Sequence, residues 1–363
     1  MTLAFLPDDQ TVLARKLVEL YDVAEAALLE LLAHRVQQGI ESPQWAERQL
    51  LEVQRTRREA QKLLAQLERK TAPAVQTAVE GAANRGRATA IAQVGKAATP
   101  IPSAQIGNLI DPYKLTALAA DLTGVTTRTN MQILRSVDDI HRRIIADVTA
   151  KELAGVGTRQ QLADEALREY ARRGITGFID RAGRRWEMSS YVEMASRAAA
   201  MNASIEGHMQ QLASQGHDLV IVSDVPQECA QCRRYEGRVL SIWGSVAGSV
   251  TEDGKTIAGS LQQARDNGLF HPGCRHSIAL YVPGVTRSFG ETADPQGDRD
   301  RQKLRALERR VRAAKREELA AITPEGKRVA RAKVKAAQKD IAEHVATSTA
   351  KRQRNRESIT AAR

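Results

Sequence analysis

At 363 residues the chain has room for two or three domains. Aromatic residues make up only 4 % of it, against abundant Ala, Leu, Glu, Gln and Arg, a composition of long helices. No apolar run of about 18 residues and no charged-then-apolar leader is present, so no membrane span and no secretion are expected, and the setting is a reducing one. The net charge of +11 is uneven: residues 301–363 hold 19 Lys and Arg against 7 Asp and Glu, leaving 35 against 36 in the first 300. Such a basic block reads as a solvated helix or a disordered arm, with nucleic acid as its usual partner when it has one. No aromatic side chain lies within it to stack on bases, so contact with DNA there would not be sequence-specific.

The first 70 residues read as a helical hairpin. Leu13, Leu17, Leu20, Ala24, Leu28 and Leu31 recur at steps of three and four, and Gly39 stands where that helix would end. Ser42 caps a second helix with Pro43 at its first position, whose stripe is Leu50, Val53, Arg57, Ala60, Leu64 and Leu67. A third helix is expected after Pro73, and a Gly- and Pro-containing break from Gly95 to Pro112 closes this arm.

From Leu115 to Leu212 the chain is again mostly helical. Val137, Ile140, Ile144 and Val148 mark one face, which would put Asp138 and His141 on its wet side as decoration. Thr158 caps the next helix and Gly174 ends it. Gly177 to Trp186 reads as a short hairpin with Asp180 and Gly183 at its corners and Phe178 and Trp186 able to pack across it. Tyr191, Met194, Ala198, Met201, Ile205, Met209 and Leu212 then form a core stripe rather than a cofactor box. Asp218–Asp224 alternates and is β-branched, as a strand is, and Ser277–Val282 is a second strand ended by Pro283-Gly284. Thr286–Asp300 is polar, a linker. Beyond it Leu304, Leu307, Val311, Ala314 and Leu319 define an amphipathic helix, and Val329, Val334 and Ile341 another.

All three cysteines lie between Cys229 and Cys274, interleaved with histidine. Cys229 and Cys232 form a C-x-x-C knuckle, and His271, Cys274 and His276 form a second cluster, HPGCRH. Thiolate and imidazole on two tight turns are the donor set of a tetrahedral Zn²⁺ site. Five candidates compete for four positions: Cys229, Cys232 and Cys274 are preferred, with either His271 or His276 as the fourth. Arg233, Arg234 and Arg275 stand beside them to offset the negative charge. No H-E-x-x-H carboxylate accompanies the cluster, so the zinc reads as structural and no catalytic residue is assigned. The Gly- and Ser-rich stretch Gly237–Gly268 has few large apolar residues, and the ion would be what holds it.

The order of a leucine-rich hairpin, GITGFIDRAGRRWEMSSYVEMASRAAAMNA (174–203), DLVIVSD (218–224), CAQCRRYEGRVLSIWG (229–244) and HPGCRHSIALYVPG (271–284) resembles the phage minor capsid protein 2 family, related to the minor head morphogenesis proteins of Mu-like phages. The resemblance covers most of the chain. It implies a structural protein, not an enzyme, at the portal vertex or head interior of the virion, assembled in the host cytoplasm. Its partners would be the portal protein, other capsid proteins and packaged DNA, with no small-molecule substrate and no membrane. The motif positions carried over are Cys229, Cys232, His271, Cys274 and His276; the last is Cys or His in relatives, which favours His276 as the fourth ligand.

The expected architecture is mainly α with a small β element. A helical arm spans 1–110, a helical core domain with a short hairpin 111–215, a zinc-stapled β unit 216–285, and a linker and basic helical tail 286–363. The competing function is a zinc-dependent nuclease or peptidase acting during head maturation. A stand-alone zinc-containing DNA-binding regulator is disfavoured, because the cluster lacks a helix-borne H-x₃₋₅-H and the positive charge lies far from it.

Overall fold

A computed structural model describes residues 7–95, 113–174, 178–179, 183, 185–225, 230–244, 247–286 and 293–359. Helix dominates: α1 (Pro7–Gln37), α2 (Trp45–Val94), α3 (Lys114–Leu153), α4 (Arg159–Arg173), α5 (Met188–Ser214), the short α6 (Ala230–Arg233) and α7 (Leu261–Asp266), then α8 (Pro295–Ala320) and α9 (Pro324–Ala346). Strands are short: β1 (Phe178–Ile179), β2 (Arg185–Trp186), β3 (Leu219–Val222), β4 (Val239–Ser241), β5 (Ile257–Ser260) and β6 (Ile278–Leu280). The architecture is mainly α with a small β element, as the composition requires.

The chain divides into two compact units, each assembled from separate segments. One comprises 1–16, 73–123 and 193–298, and the other 17–72, 124–192 and 299–363.

In the second unit the expected hairpin is present, with its seam shifted. Leu17, Tyr21, Leu28 and Leu32 of α1 are buried, as are Val53, Ala60, Leu64 and Leu67 of α2, whereas Leu50 is half exposed and Leu51 is 80 % exposed. Gly39, with φ at +64°, turns the chain out of α1. The second helix begins at Trp45, two residues after Pro43, because Trp45 leaves the turn to bury its ring and donate Nε1–H to the Val36 carbonyl at 2.9 Å. No new helix begins after Pro73. Helix α2 runs through it, since a proline removes one intrahelical hydrogen bond while Val75, Ala78, Val79 and Ala82 beyond it remain buried. The expected break falls mostly on 96–112, outside the described residues.

His141 and Asp138 are not on a wet face. His141 is fully buried with Nε2 3.0 Å from Gln49 Oε1, and Asp138 is paired with Arg57. Gln49 spends its amide N–H groups on the carbonyls of Arg35 and Gln38, so its oxygen is left to accept from the imidazole. Burial holds His141 well below the usual histidine range, at about 4, so the ring is neutral. A helix in the middle of a bundle has more than one buried face, which its apolar stripe alone does not reveal.

Thr158 caps α4, its hydroxyl accepting from the Gln161 N–H in a capping box, and Gly174 ends it at φ +79°. The hairpin pairs Phe178 with Trp186, and Trp186 meets Tyr191 edge-on with ring centroids 5.8 Å apart. Asp180, its expected corner, lies outside the described residues.

The basic tail is not a solvated or disordered arm. Leu304, Leu307 and Val311 of α8 pack with Ala337 and Ile341 of α9. Asp164 of α4 closes the turn between those helices, accepting from the Ile322 and Thr323 N–H groups at 2.8 and 2.9 Å. A Cβ on Gly326 would stand 2.1 Å from the same carboxylate, so a larger residue there would push Asp164 out of its hydrogen bonds. The polar stretch 286–300 is also shorter as a linker than expected, because α8 begins at Pro295.

In the first unit α2 and α5 cross closely enough to exclude side chains. A Cβ on Gly86 would lie 2.0 Å from the Ser204 carbonyl oxygen, and one on Gly207 2.1 Å from that of Ala83. The α5 stripe is core as expected, with Met201, Ile205 and Leu212 buried. It supports a four-stranded sheet of order β5-β4-β3-β6, in which β3 is antiparallel to both neighbours and β4 pairs with β5 in parallel. The stretch between the two knuckles therefore does not depend on an ion alone. It contributes β4, β5 and α7, and Leu240, Leu261, Leu269 and Phe270 join Val220, Val222 and Ile278 in one buried cluster. A few large residues at well-chosen positions suffice where α5 supplies the rest of the apolar surface.

Candidate metal centre

Strand β3 delivers the chain to the first knuckle and β6 carries it away from the second, as their sequence patterns require. After Val222 the chain passes residues 226–229, outside the described residues and including Cys229, and enters α6 with Cys232 fully buried. A tight turn follows. The Tyr235 N–H donates to the Cys232 carbonyl at 2.9 Å, Gly237 takes φ +65°, and its N–H donates to the Val222 carbonyl at 3.1 Å, which starts β4 beside β3.

The second knuckle is a β-turn. The Cys274 N–H donates to the His271 carbonyl at 2.9 Å, with Pro272 at the position that favours its fixed φ and Gly273 at φ +88°, where a side chain would be strained. Phe270 just before it holds φ +63°, an unusual conformation for an aromatic residue. The turn seats Cys274 inward at the entry to β6, with His276 two residues on and so on the same side.

Cys232, His271 and Cys274 bring their ligand atoms within 4.8 Å of one another, a group that could hold a metal ion. Cys232 Sγ and Cys274 Sγ are 3.7 Å apart. Two thiolates on a tetrahedral ion with Zn–S of about 2.3 Å would be about 3.8 Å apart, so the pair already has the right spacing. No disulfide joins them. His276 is buried with Nδ1 3.4 Å from Cys274 Sγ, and its backbone N–H points at the same sulfur at 3.4 Å. Burial lowers the His276 pKa, but hydrogen bonds to Cys232 and Glu236 and their charges outweigh it, and the net shift is upward. Arg234, one of the residues expected to offset the charge, lies with its guanidinium over the Tyr235 ring at 4.9 Å and donates to the Asn267 carbonyl.

The residues present fit a metal of the zinc type by donor chemistry and by spacing. Of the five candidates from the sequence, Cys232, His271 and Cys274 form the group, His276 adjoins it through Cys274, and Cys229 lies outside the described residues. Glu236 flanks the first knuckle and reads from sequence as a solvated turn charge, but its carboxylate is largely buried and lies 2.6 Å from His276 Nε2.

Beside His271 lies a cleft of about 410 Å³ lined also by Lys114, Leu118, Glu206, Arg265 and Phe270. The buried Glu206 carboxylate in it is shared by Lys114 and Arg265, each 3.5 Å away.

A sequence profile described as Phage minor capsid protein 2 matches residues 6–346, nearly the whole chain. The chain belongs to that family. It is therefore a structural protein of the phage head, and other head proteins of the virion are its partners. No curated protein and no solved structure matches it. For this minor capsid family member, no helix among the described residues is long and apolar enough to cross a membrane.

Proposed function

We propose that the protein is a minor head component at the portal vertex or head interior, acting in head assembly, with the outer face of α8 and α9 in contact with packaged DNA. The observation that carries the DNA contact is the sorting of charge in these helices. Glu308, Arg312, Arg316 and Glu317 are buried, whereas Lys303, Arg309, Arg310, Lys327, Arg331, Lys335 and Lys339 are exposed. Burial takes two acids and two bases out of play, so the surplus of Lys and Arg over Asp and Glu faces outward even though Arg310, Arg331 and Lys339 pair with Asp340, Glu318 and Glu343, and that surplus can replace condensed counterions on a phosphate backbone. Helix-borne lysines and arginines without aromatic neighbours suit contact with DNA of any sequence.

The cysteine–histidine cluster serves in this reading as a structural zinc site that ties the knuckle after β3 to the one before β6. Cys232, Cys274, His276 and His271 or Cys229 would hold the ion, which supplies cross-linking and no reaction step. Burial of both described sulfurs favours a closed shell over the open position that a zinc-dependent nuclease or peptidase needs. Glu206, the buried acid of the neighbouring cleft, is engaged by two cations and is a poor general base.

The DNA contact is tested by replacing Lys303, Arg309, Lys327 and Lys335 with Gln and measuring DNA affinity against salt. The slope of log K on log salt should fall by about 3–4, since each phosphate contact contributes about 0.9. An unchanged slope would remove DNA from the reading. Localisation of the tagged protein in procapsids tests the portal placement, and uniform labelling of the shell would refute it.

A further inference from the structure

Glu236 occupies the turn between α6 and β4, and one oxygen of its side chain makes two contacts. Oε1 accepts from the Val225 backbone N–H at 3.1 Å and lies 2.6 Å from His276 Nε2. The two side chains are 12 % and 2 % exposed, so water does not compete strongly for the bond. An imidazole that faces a carboxylate with one nitrogen carries its proton there, because only an N–H can be donated. For His276 that nitrogen is Nε2. The other nitrogen, Nδ1, lies on the side of Cys274 Sγ at 3.4 Å, where a bound ion would take its lone pair in place of a proton.

That distance has meaning. An imidazole nitrogen and a thiolate sulfur on one tetrahedral zinc, at about 2.0 and 2.3 Å from it, would be about 3.5 Å apart. The ring thus stands at ligand spacing from Cys274, with Glu236 holding its other nitrogen. The Val225 N–H in turn holds the carboxylate, so the chain just after β3 fixes the orientation of a ring just before β6.

We propose that Glu236 is a positioning residue for the metal centre: it fixes the orientation and tautomer of His276 so that Nδ1 is the nitrogen presented beside Cys232 and Cys274. The proposal rests on the zinc reading given above. A carboxylate behind a ligating histidine also raises the basicity of the ring, and removing such a partner commonly costs about 10–100-fold in metal affinity.

The test uses the full-length protein, Zn²⁺ titrated in competition with a chromophoric chelator, and Co²⁺ as a spectroscopic substitute. Glu236→Leu removes the acceptor, whereas Glu236→Gln keeps an acceptor oxygen for both Val225 and His276 and removes the charge. Zn²⁺ affinity should fall by about 10–100-fold in Glu236→Leu and by less in Glu236→Gln. The Co²⁺ ligand-field bands should shift in Glu236→Leu and stay in place in Glu236→Gln. A role confined to holding the Val225 N–H would move stability but leave those bands alone. Wild-type protein that takes up neither ion would refute the zinc reading itself. Wild-type protein that binds both, with affinities and bands unchanged in either variant, would overturn the proposal for Glu236 and leave the zinc site standing. Should Glu236→Leu fail to fold, undiminished Zn²⁺ affinity in Glu236→Gln would overturn it equally.

Discussion

Arg316 of α8 and Glu25 of α1 form an ion pair that water does not reach, with Nη1 3.7 Å from Oε2 and the side chains 1 % and 2 % exposed. Arg316 also meets Glu187 at 3.0 Å and donates from Nε to the Ala171 carbonyl at 3.1 Å. Arg312, one turn earlier, donates to Ser190 Oγ at 3.1 Å and to the Arg356 carbonyl at 2.7 Å. The tail is thus anchored by its own positive charge. Arg316→Met would leave Glu25 buried without its ion-pair partner and Glu187 with only Arg312 at 3.8 Å, and about 3–5 kcal/mol of stability should be lost. Denaturant unfolding monitored by circular dichroism checks this, and a loss under about 1 kcal/mol would contradict the role given to the pair.

The same cluster makes stability fall with rising pH. Burial pushes the Asp22 carboxyl up from 3.8 to about 7, opposed by a hydrogen bond from Ser189 and by Arg312 and Arg316, and Glu25 is also shifted upward by burial. Between about pH 4 and pH 7 the folded state keeps a proton that the unfolded chain has released, so this contribution is complete below the unfolded value and is lost on passing through the folded one. Asp22→Asn should raise the melting temperature at pH 8 by about 2–4 °C and leave it unchanged at pH 4. Equal effects at both pH values would show that Asp22 is not protonated in the fold.

Asp164 holds the corner between α8 and α9 from a third helix. Besides the two backbone N–H groups it accepts from Arg168 Nε at 2.7 Å. Asp164→Ala should cost about 2–4 kcal/mol, since two N–H donors and a guanidinium lose their acceptor. Hydrogen exchange at the Ile322 and Thr323 amides is the direct measurement, and protection unchanged from wild type would refute the assignment.

If the cysteine cluster holds zinc, a strong chelator should lower the melting temperature of the wild type by about 5–10 °C, less than the complete unfolding of a zinc finger because the sheet and α5 have a shared core. Cys274→Ser should start from the lower melting temperature and ignore the chelator. Elemental analysis should find one zinc per wild-type chain and none in the variant. A chelator response retained in Cys274→Ser would place the ion elsewhere.

Much of this protein was legible in its residues. Steps of three and four located the helices, Thr158 and Gly174 marked both ends of α4, and HPGC prescribed a turn that needs proline and glycine in that order. The two knuckles and their flanking strands, together with the ordered motifs, pointed to the family. These signals are local, because periodicity, capping and turn chemistry act within a few residues. What depended on distant partners was not legible. Arg316 and Glu25 have the same letters as surface charges, and only the meeting of α1 with α8 removes them from water. His141 and Asp138 became interior when α3 acquired buried faces beyond its apolar stripe. Strands β4 and β5, three and four residues long, are too short to show an alternation and exist because β3 offers an edge to β4 and β4 offers one to β5. Glu236 became a partner of His276 only when two turns 40 positions apart were brought together. The sequence by itself determined the elements, the donor atoms and the family; the tertiary structure decided which charges are buried and which nitrogen faces the sulfurs, because those depend on neighbours that only folding supplies.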